Sequence, residues 1–212
     1  MPEVRTRIML VDDHAIVRAG FRRLLEQRNS YQVVAEAGDA ETAYALFLEL
    51  QPDVVVLDLT MPGVSGLELV RRMAVRQPSA KILVFSMHED ALLAERAIQL
   101  GARGYVTKNS APEVLASAVE DMMAGKVALS PDIAQALAIL KVTGEGDPLT
   151  VLSARELEIF RLIARGQTVP SIAAFLSLSV KTVANYHSLI KQKLNITGDV
   201  ELVLLAQRRN IT

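Results

Sequence analysis

The chain has 212 residues, 50% of them hydrophobic, 22% charged and 4% aromatic, with no Trp and no Cys. That composition excludes bulk disorder, disulfide stapling, thiolate metal sites and cysteine nucleophiles, and it leaves a core built on Ala, Val, Leu and Ile. The net charge is −1, but residues 149–212 carry 8 Lys and Arg against 4 Asp and Glu while the rest is acidic, a split that suggests two domains, the second facing nucleic acid.

The longest bare apolar runs, Ile8–Val11 and Val54–Leu57, are of strand length and far short of the roughly 20 residues a membrane helix needs. Met1-Pro2-Glu3-Val4-Arg5 shows no signal-peptide stretch. A cytoplasmic protein with no membrane partner is expected.

In chain order, Arg7–Val11 reads as a strand, and His14–Arg28 places Ile16, Val17, Phe21, Leu24 and Leu25 at helical spacing. Tyr31–Glu36 is a strand, and Asp39 caps a helix that runs to about Leu50. Asp53–Asp58 is a short β-branched run suited to a strand buried on both faces of a parallel sheet. Helices follow at Ser65–Gln77, Asp90–Leu100 and Ala111–Ala124, alternating with strands at Ala80–Phe85 and Gly104–Thr107. Met61-Pro62-Gly63 and Gly66 look like turn chemistry, with Gly supplying positive φ and Pro fixing a bend. Five strands and five helices predict a doubly wound α/β fold, a five-stranded parallel sheet of flavodoxin-like order 2-1-3-4-5.

Ser130-Pro131-Asp132 starts a further helix to Leu140, and Thr143–Pro148 breaks every pattern as a linker. Four short helices then fit Ser153–Arg165, Pro170–Leu176, Ser179–Leu194 and Asp199–Arg209. The expected division is a first domain over 1–126, a helical or flexible linker over 127–147 and an all-α domain over 148–212.

Asp12 and Asp13 follow the first strand and Asp58 ends the third. In a parallel sheet these ends share one edge, where ligands bind at the switch point. Converging carboxylates repel, and a hard divalent cation such as Mg²⁺ relieves that repulsion. Ser86 after the fourth strand and Lys108 after the fifth add a hydroxyl and an ammonium to the same edge. Together they could bind phosphoryl oxygens, with Asp58 as the nucleophile. One such Asp alone is usually a helix cap or a solvated loop residue; five suitable residues at the right strand ends are not. Met87 and His88 would flank the phosphate, His88 as an exposed loop histidine rather than a base.

Val11–His14 (VDDH), Val56–Gly66 (VLDLTMPGVSG), Phe85-Ser86, Gly101–Tyr105 (GARGY) and Val106–Lys108 (VTK) resemble a two-component receiver domain over about residues 5–125. The resemblance implies that Asp58 accepts phosphate from a sensor histidine kinase. It implies that Asp13, Asp58 and the Thr60 carbonyl hold Mg²⁺, with Asp12 assisting through water. Lys108 would bind the phosphoryl group, Ser86 would turn to meet it, and Tyr105 would rotate inward.

In the last part, Ser153 with Glu156 forms a capping box, Gly166 ends that helix, and Pro170 suits the first turn of the next. Ser179 caps a third helix, as in a helix-turn-helix. Val183, His187, Ile190 and Leu194 recur at core spacing, while Lys181, Thr182, Ala184, Asn185, Ser188 and Lys191 lie elsewhere on that helix. Such a face fits a DNA major groove, Asn185 reading adenine and the lysines meeting phosphates. It also fits the solvated side of an ordinary helix.

Leu152–Gly166, Ile172-Ala173 and Leu176–Ile196 resemble the LuxR-type helix-turn-helix, and the whole chain resembles the NarL/FixJ class of response regulators. That resemblance implies promoter DNA as a partner and a homodimer through the last helix, with Val200, Val203 and Leu204 in the contact. The chain departs from the family at Ala184, where a Lys is frequent, at Val169-Pro170-Ser171, where Asn-Lys-Glu is common, and at Asp199, where an Arg is common. Fewer cations predict weaker nonspecific binding. His187 stands where an aliphatic residue is usual and reads as a satisfied, partly buried histidine. The expected function is phosphorylation-controlled transcription regulation. The alternatives are a phosphate sink or docking receiver with weak DNA binding, and a metal-dependent phosphohydrolase. Against an enzyme, Thr60 stands where such a hydrolase carries its second acid, and there is no cap domain.

Overall fold

The computed structural model describes residues 5–61, 65–143, 148–209 and 211. The chain divides into two compact units, residues 1–142 and 143–212.

The first unit is a parallel sheet of β1 (Thr6–Val11), β2 (Tyr31–Ala37), β3 (Val54–Leu57), β4 (Lys81–Ser86), β5 (Gly104–Thr107) and β6 (Ala128–Leu129), in the order β2-β1-β3-β4-β5-β6. The helices are α1 (Ala15–Glu26), α2 (Ala40–Leu50), α3 (Gly66–Arg76), α4 (Ala91–Gln99), α5 (Pro112–Met123) and α6 (Pro131–Thr143). The expected five strands are corrected to six. β6 has two residues, paired Gly104 to Ala128 and Tyr105 to Leu129, and two residues carry no readable period.

Alternate residues along the strands face opposite layers. Ile8, Leu10, Val54, Val56, Leu83 and Phe85 share one buried cluster with Leu25 of α1 and Leu115, Val119 and Met122 of α5. Phe21 meets Phe85 edge to face at 4.6 Å between ring centroids, a favoured aromatic geometry. On the opposite layer α2 packs on α3 and α3 on α4, burying Phe47, Leu69, Val70 and Met73. All four residues of β3 are buried, as its unbroken apolar run predicts. Ile16, by contrast, is 89% exposed: it shares the helical spacing of α1 but lies off the face that meets the sheet.

Asp39 caps α2 by accepting from the Thr42 backbone N–H at 2.9 Å. Gly66 is needed for a different reason from the expected positive φ, and it is not among the positive-φ glycines. A Cβ there would lie 2.5 Å from the Leu59 Cα, so only Gly lets α3 start against the segment after Asp58. Pro62 and Gly63 lie outside the described residues. Residues 127–142, read as linker from sequence, fall with the first unit: Ile133 of α6 is buried, and Asp132 accepts from Thr107 Oγ1 at 2.9 Å.

The second unit has a short 3-10 helix, Pro148–Val151, then α7 (Ala154–Ala164), α8 (Val169–Phe175), α9 (Val180–Lys193) and α10 (Asp199–Arg208). The capping box forms: Ser153 Oγ accepts from Glu156 N–H at 3.3 Å, and Glu156 accepts from Ser153 N–H at 2.6 Å. Gly166, at φ 76°, lets the N–H groups of Gly166 and Gln167 reach Ile163 and Leu162 carbonyls. Thr168, unforeseen, caps α8 one residue before its start, and Ser179 caps α9. Ser177, at φ 53°, turns the chain between them. No helix among the described residues is long and apolar enough to cross a membrane.

Candidate functional site

β1, β3, β4 and β5 end along one edge of the sheet, and each delivers one polar group. Asp12 follows β1, Asp58 follows β3, Ser86 closes β4 and Lys108 follows β5. Backbone bonds fix these ends: Asp58 N–H to the Val11 carbonyl at 2.8 Å, and Lys108 N–H to the Ser86 carbonyl at 2.8 Å. Asp12, Asp58 and Ser86 are buried.

The Lys108 ammonium lies between the two carboxylates, 2.5 Å from Asp12 Oδ2 and 2.6 Å from Asp58 Oδ2. Its side chain is only 9% exposed. The other oxygen of Asp58 accepts from the Thr60 N–H at 3.0 Å, and the other oxygen of Asp12 accepts from the His14 N–H at 2.8 Å. The Asp12 carbonyl takes the Arg18 guanidinium.

Burial pushes the Asp58 carboxyl up, and Asp12 adds to that push; Lys108 and the Thr60 N–H oppose it without cancelling it. Burial alone would pull the Lys108 ammonium down, but hydrogen bonds to Asp12 and Asp58 outweigh it and raise it. Both directions follow from one imbalance: two buried carboxylates share one ammonium, and the surplus charge is negative.

Asp13 is half-buried, and its Oδ1 lies 2.8 Å from His14 Nδ1 without an aligned hydrogen bond. One ligand atom each from Asp12, Asp13 and His14 lies within 4.8 Å of the others. Asp58 stands outside that trio, its two oxygens taken by Lys108 and the Thr60 N–H. Surplus negative charge, oxygen donors and an unaligned Asp13 oxygen fit a hard divalent cation.

Ser86 Oγ accepts from the His88 N–H at 3.3 Å. Tyr105 is fully buried and donates its hydroxyl to the His88 carbonyl at 2.9 Å, so its ring faces inward. The expectation of an exposed loop histidine is corrected. His88 is half-buried, and its Nε2 lies 3.1 Å from Thr60 Oγ1, tying the segment after β3 to the segment after β4. That pair is 28 residues apart, and no local sequence signal could have joined it. Met87 stays exposed.

In the second unit, Lys181, Ala184, Asn185 and Ser188 form an exposed stripe on α9, with Thr182 and Lys191 half-buried beside it. Ser188 donates to the Ala184 carbonyl at 3.1 Å, and Thr182 Oγ1 pairs with Ser179 Oγ at 2.7 Å. Val183 and Ile190 are fully buried. His187 lies 2.8 Å from Asp199 Oδ1 with 16% of its side chain exposed; the ring nitrogen is close to that oxygen but not aligned on it. On α10, Leu202 and Ala206 are buried, whereas Val200 is 73% and Leu204 46% exposed. Val203 is half-buried between these faces.

Comparison with known proteins decides the family. Residues 8–120 match the response regulator receiver domain, and residues 150–206 match the luxR family of bacterial regulatory proteins. The chain belongs to the two-component response regulators of the NarL/FixJ class. It is 40% identical over 206 residues to the response regulator UvrY of Escherichia coli, covering 96% of this chain and 94% of that one. It is 41% identical over 207 residues to the response regulator GacA of Pseudomonas aeruginosa, covering 97% of each. RcsB from Salmonella enterica serovar Typhimurium, solved bound to a promoter in the presence of the phosphomimetic BeF3−, is 29% identical with a TM-score of 0.71, over 96% of this regulator and 99% of that chain. The regulator is thus a phosphorylation-dependent transcriptional regulator of a two-component system.

Proposed function

We propose that this regulator takes a phosphoryl group from a sensor histidine kinase onto Asp58 and that the modified receiver controls dimerisation and promoter binding by the luxR-type unit. The working division is the phosphoacceptor receiver over 1–126, extended by residues 127–142 that fall with it in one compact unit, and the DNA-binding unit over 148–212. The observation that carries the reading is the Lys108 ammonium held between Asp12 and Asp58 at three strand ends.

An Asp58 carboxylate oxygen attacks phosphorus, the bond from phosphorus to the donor breaks, and the donor leaves with the electron pair. Mg²⁺, held by Asp12, Asp13, Asp58 and the Thr60 carbonyl, would supply positive charge to the phosphoryl oxygens. Lys108 then exchanges a carboxylate for a phosphoryl oxygen. Ser86 donates its hydroxyl to another, and turning to do so draws its oxygen off the His88 N–H. That release moves the backbone whose carbonyl holds the Tyr105 hydroxyl, so the phosphate is sensed by the segments after β4 and β5.

For DNA, the α9 stripe enters the major groove, with Asn185 toward bases, Lys181 and Lys191 toward phosphates, and Thr182, Ala184 and Ser188 lining the contact. One such unit is small for high affinity, so two copies joined through Val200, Val203 and Leu204 on two half-sites are the physical expectation. The RcsB complex with a promoter and BeF3− supports this assignment.

The test is selection of genomic fragments by the purified regulator, with and without acetyl phosphate and Mg²⁺, with Asp58→Ala as control. Specific fragments captured better on phosphorylation, and only with Asp58 present, are expected. Equal capture in every sample would overturn phosphate control. No specific fragment in any sample would leave a phosphate-accepting or docking module.

A further inference from the structure

The α9 stripe is poor in cations, and one of its flanking lysines is already engaged. Lys191 Nζ lies 3.0 Å from Asp199 Oδ1, and His187 Nε2 lies 2.8 Å from the same oxygen. His187 and Lys191 are one helical turn apart, so both reach one point beside the stripe. Asp199 is the first residue of α10, where a carboxylate also complements the helix N-terminus. It is therefore held in place by its own helix while it holds Lys191. Lys191 keeps only 27% of its side chain exposed, whereas Asp199 is 60% exposed. The carboxylate is thus the more accessible member of the pair, and a phosphate that bound Lys191 would have to share or displace it.

We infer that Asp199 is an internal stand-in for a DNA phosphate: it occupies Lys191 and weakens the sequence-independent part of DNA binding. The inference rests on the DNA-binding reading above and deepens it. A duplex phosphate and Asp199 compete for one ammonium, and the Asp199 carboxylate, exposed beside it, repels the duplex as well. The hydrogen bond from Lys191, chiefly, holds the Asp199 carboxyl below the ordinary carboxylate range, so it stays charged under any ordinary buffer. Binding by this chain should then depend more on base contacts, and less on salt, than its lysine count implies.

The test uses the full-length regulator and a labelled mixed-sequence duplex, with anisotropy read over a salt series. The variants are D199N, K191Q and the double variant, each checked for helicity by circular dichroism. D199N is expected to bind about 3–10-fold tighter near 0.1 M salt, with a salt slope steeper by about one unit, because one more phosphate contact forms. In the K191Q background the same Asp199 substitution is expected to give less than about twofold. D199S, which suits a first helical turn, guards against a defect peculiar to Asn and should show the same gain. An equal gain in both backgrounds, or no gain from either Asp199 variant, overturns the inference alone. Absence of duplex binding by every form at low salt overturns the DNA-binding reading and the inference with it.

Discussion

Lys108 divides one positive charge between two buried carboxylates, and that imbalance makes opposite predictions for its neighbours. Lys108→Met leaves Asp12 and Asp58 with no cation and should cost the receiver about 3–5 kcal/mol, the usual penalty for stranding buried charge. Asp58→Asn removes the surplus charge while keeping an acceptor for the Thr60 N–H, and should stabilise the receiver by about 1–3 kcal/mol. Urea unfolding with and without Mg²⁺ checks both: Mg²⁺ should stabilise the wild type and lose most of that effect in Asp58→Asn. At this scale the sequence was informative because strand ends in a parallel sheet share an edge. Asp12, Asp58, Ser86 and Lys108 therefore converge without any knowledge of rotamers. What it could not supply were the bonds made after convergence. The His88–Thr60 contact and the inward Tyr105 depend on how two segments settle against each other.

Element starts and stops were legible to within a residue or two wherever a cap has a chemical signature. Asp39, Ser153 and Ser179 accept from their own first turns, and Ser153→Ala should cost about 1 kcal/mol of luxR-unit stability in thermal melts. Gly66 shows the opposite case, where the requirement is spatial. Gly66→Ala would drive a methyl into the Leu59 backbone, and about 1–3 kcal/mol of receiver destabilisation is expected. The same clash should slow phosphorylation by acetyl phosphate, because the Leu59 segment carries Thr60. β6 escaped the sequence reading because two residues have no alternation, and α6 hid its attachment because Asp132 meets Thr107 from 25 residues away.

Two compact units predict two calorimetric transitions, only the first responding to Mg²⁺. Acid should separate them further. Glu156 sits in the second unit; its burial favours the protonated form, but Lys193 at 2.7 Å and Ser153 outweigh it and hold it below the ordinary Glu range. A lowered carboxyl contributes stability that is complete above its unfolded pKa of 4.5 and is lost as pH falls through the folded value. Asp58 is raised, so its contribution favours the receiver below 3.8 and is lost as pH rises through its folded value. Lys108 is also raised, so its stabilisation holds below 10.5 and disappears only in alkali. As pH falls below about 4.5 the luxR-unit transition should therefore drop faster than these receiver groups alone would lower theirs. Glu156→Gln should cost about 1–3 kcal/mol at pH 7 and flatten that acid dependence.

The two residues of β6 have a bearing on how copies of this chain can meet. An unpaired sheet edge invites a strand from another molecule. Here β6 covers β5 and presents only Ala128 and Leu129 as the new margin, too short a template for a stable ladder. At the other margin, β2 carries Glu36, ion-paired to Arg18 and Arg22 of α1, and a charge at such a border discourages strand addition. Fibril-like stacking of the folded receiver is thereby disfavoured at both borders, and self-association is left to side chains that can be switched on and off.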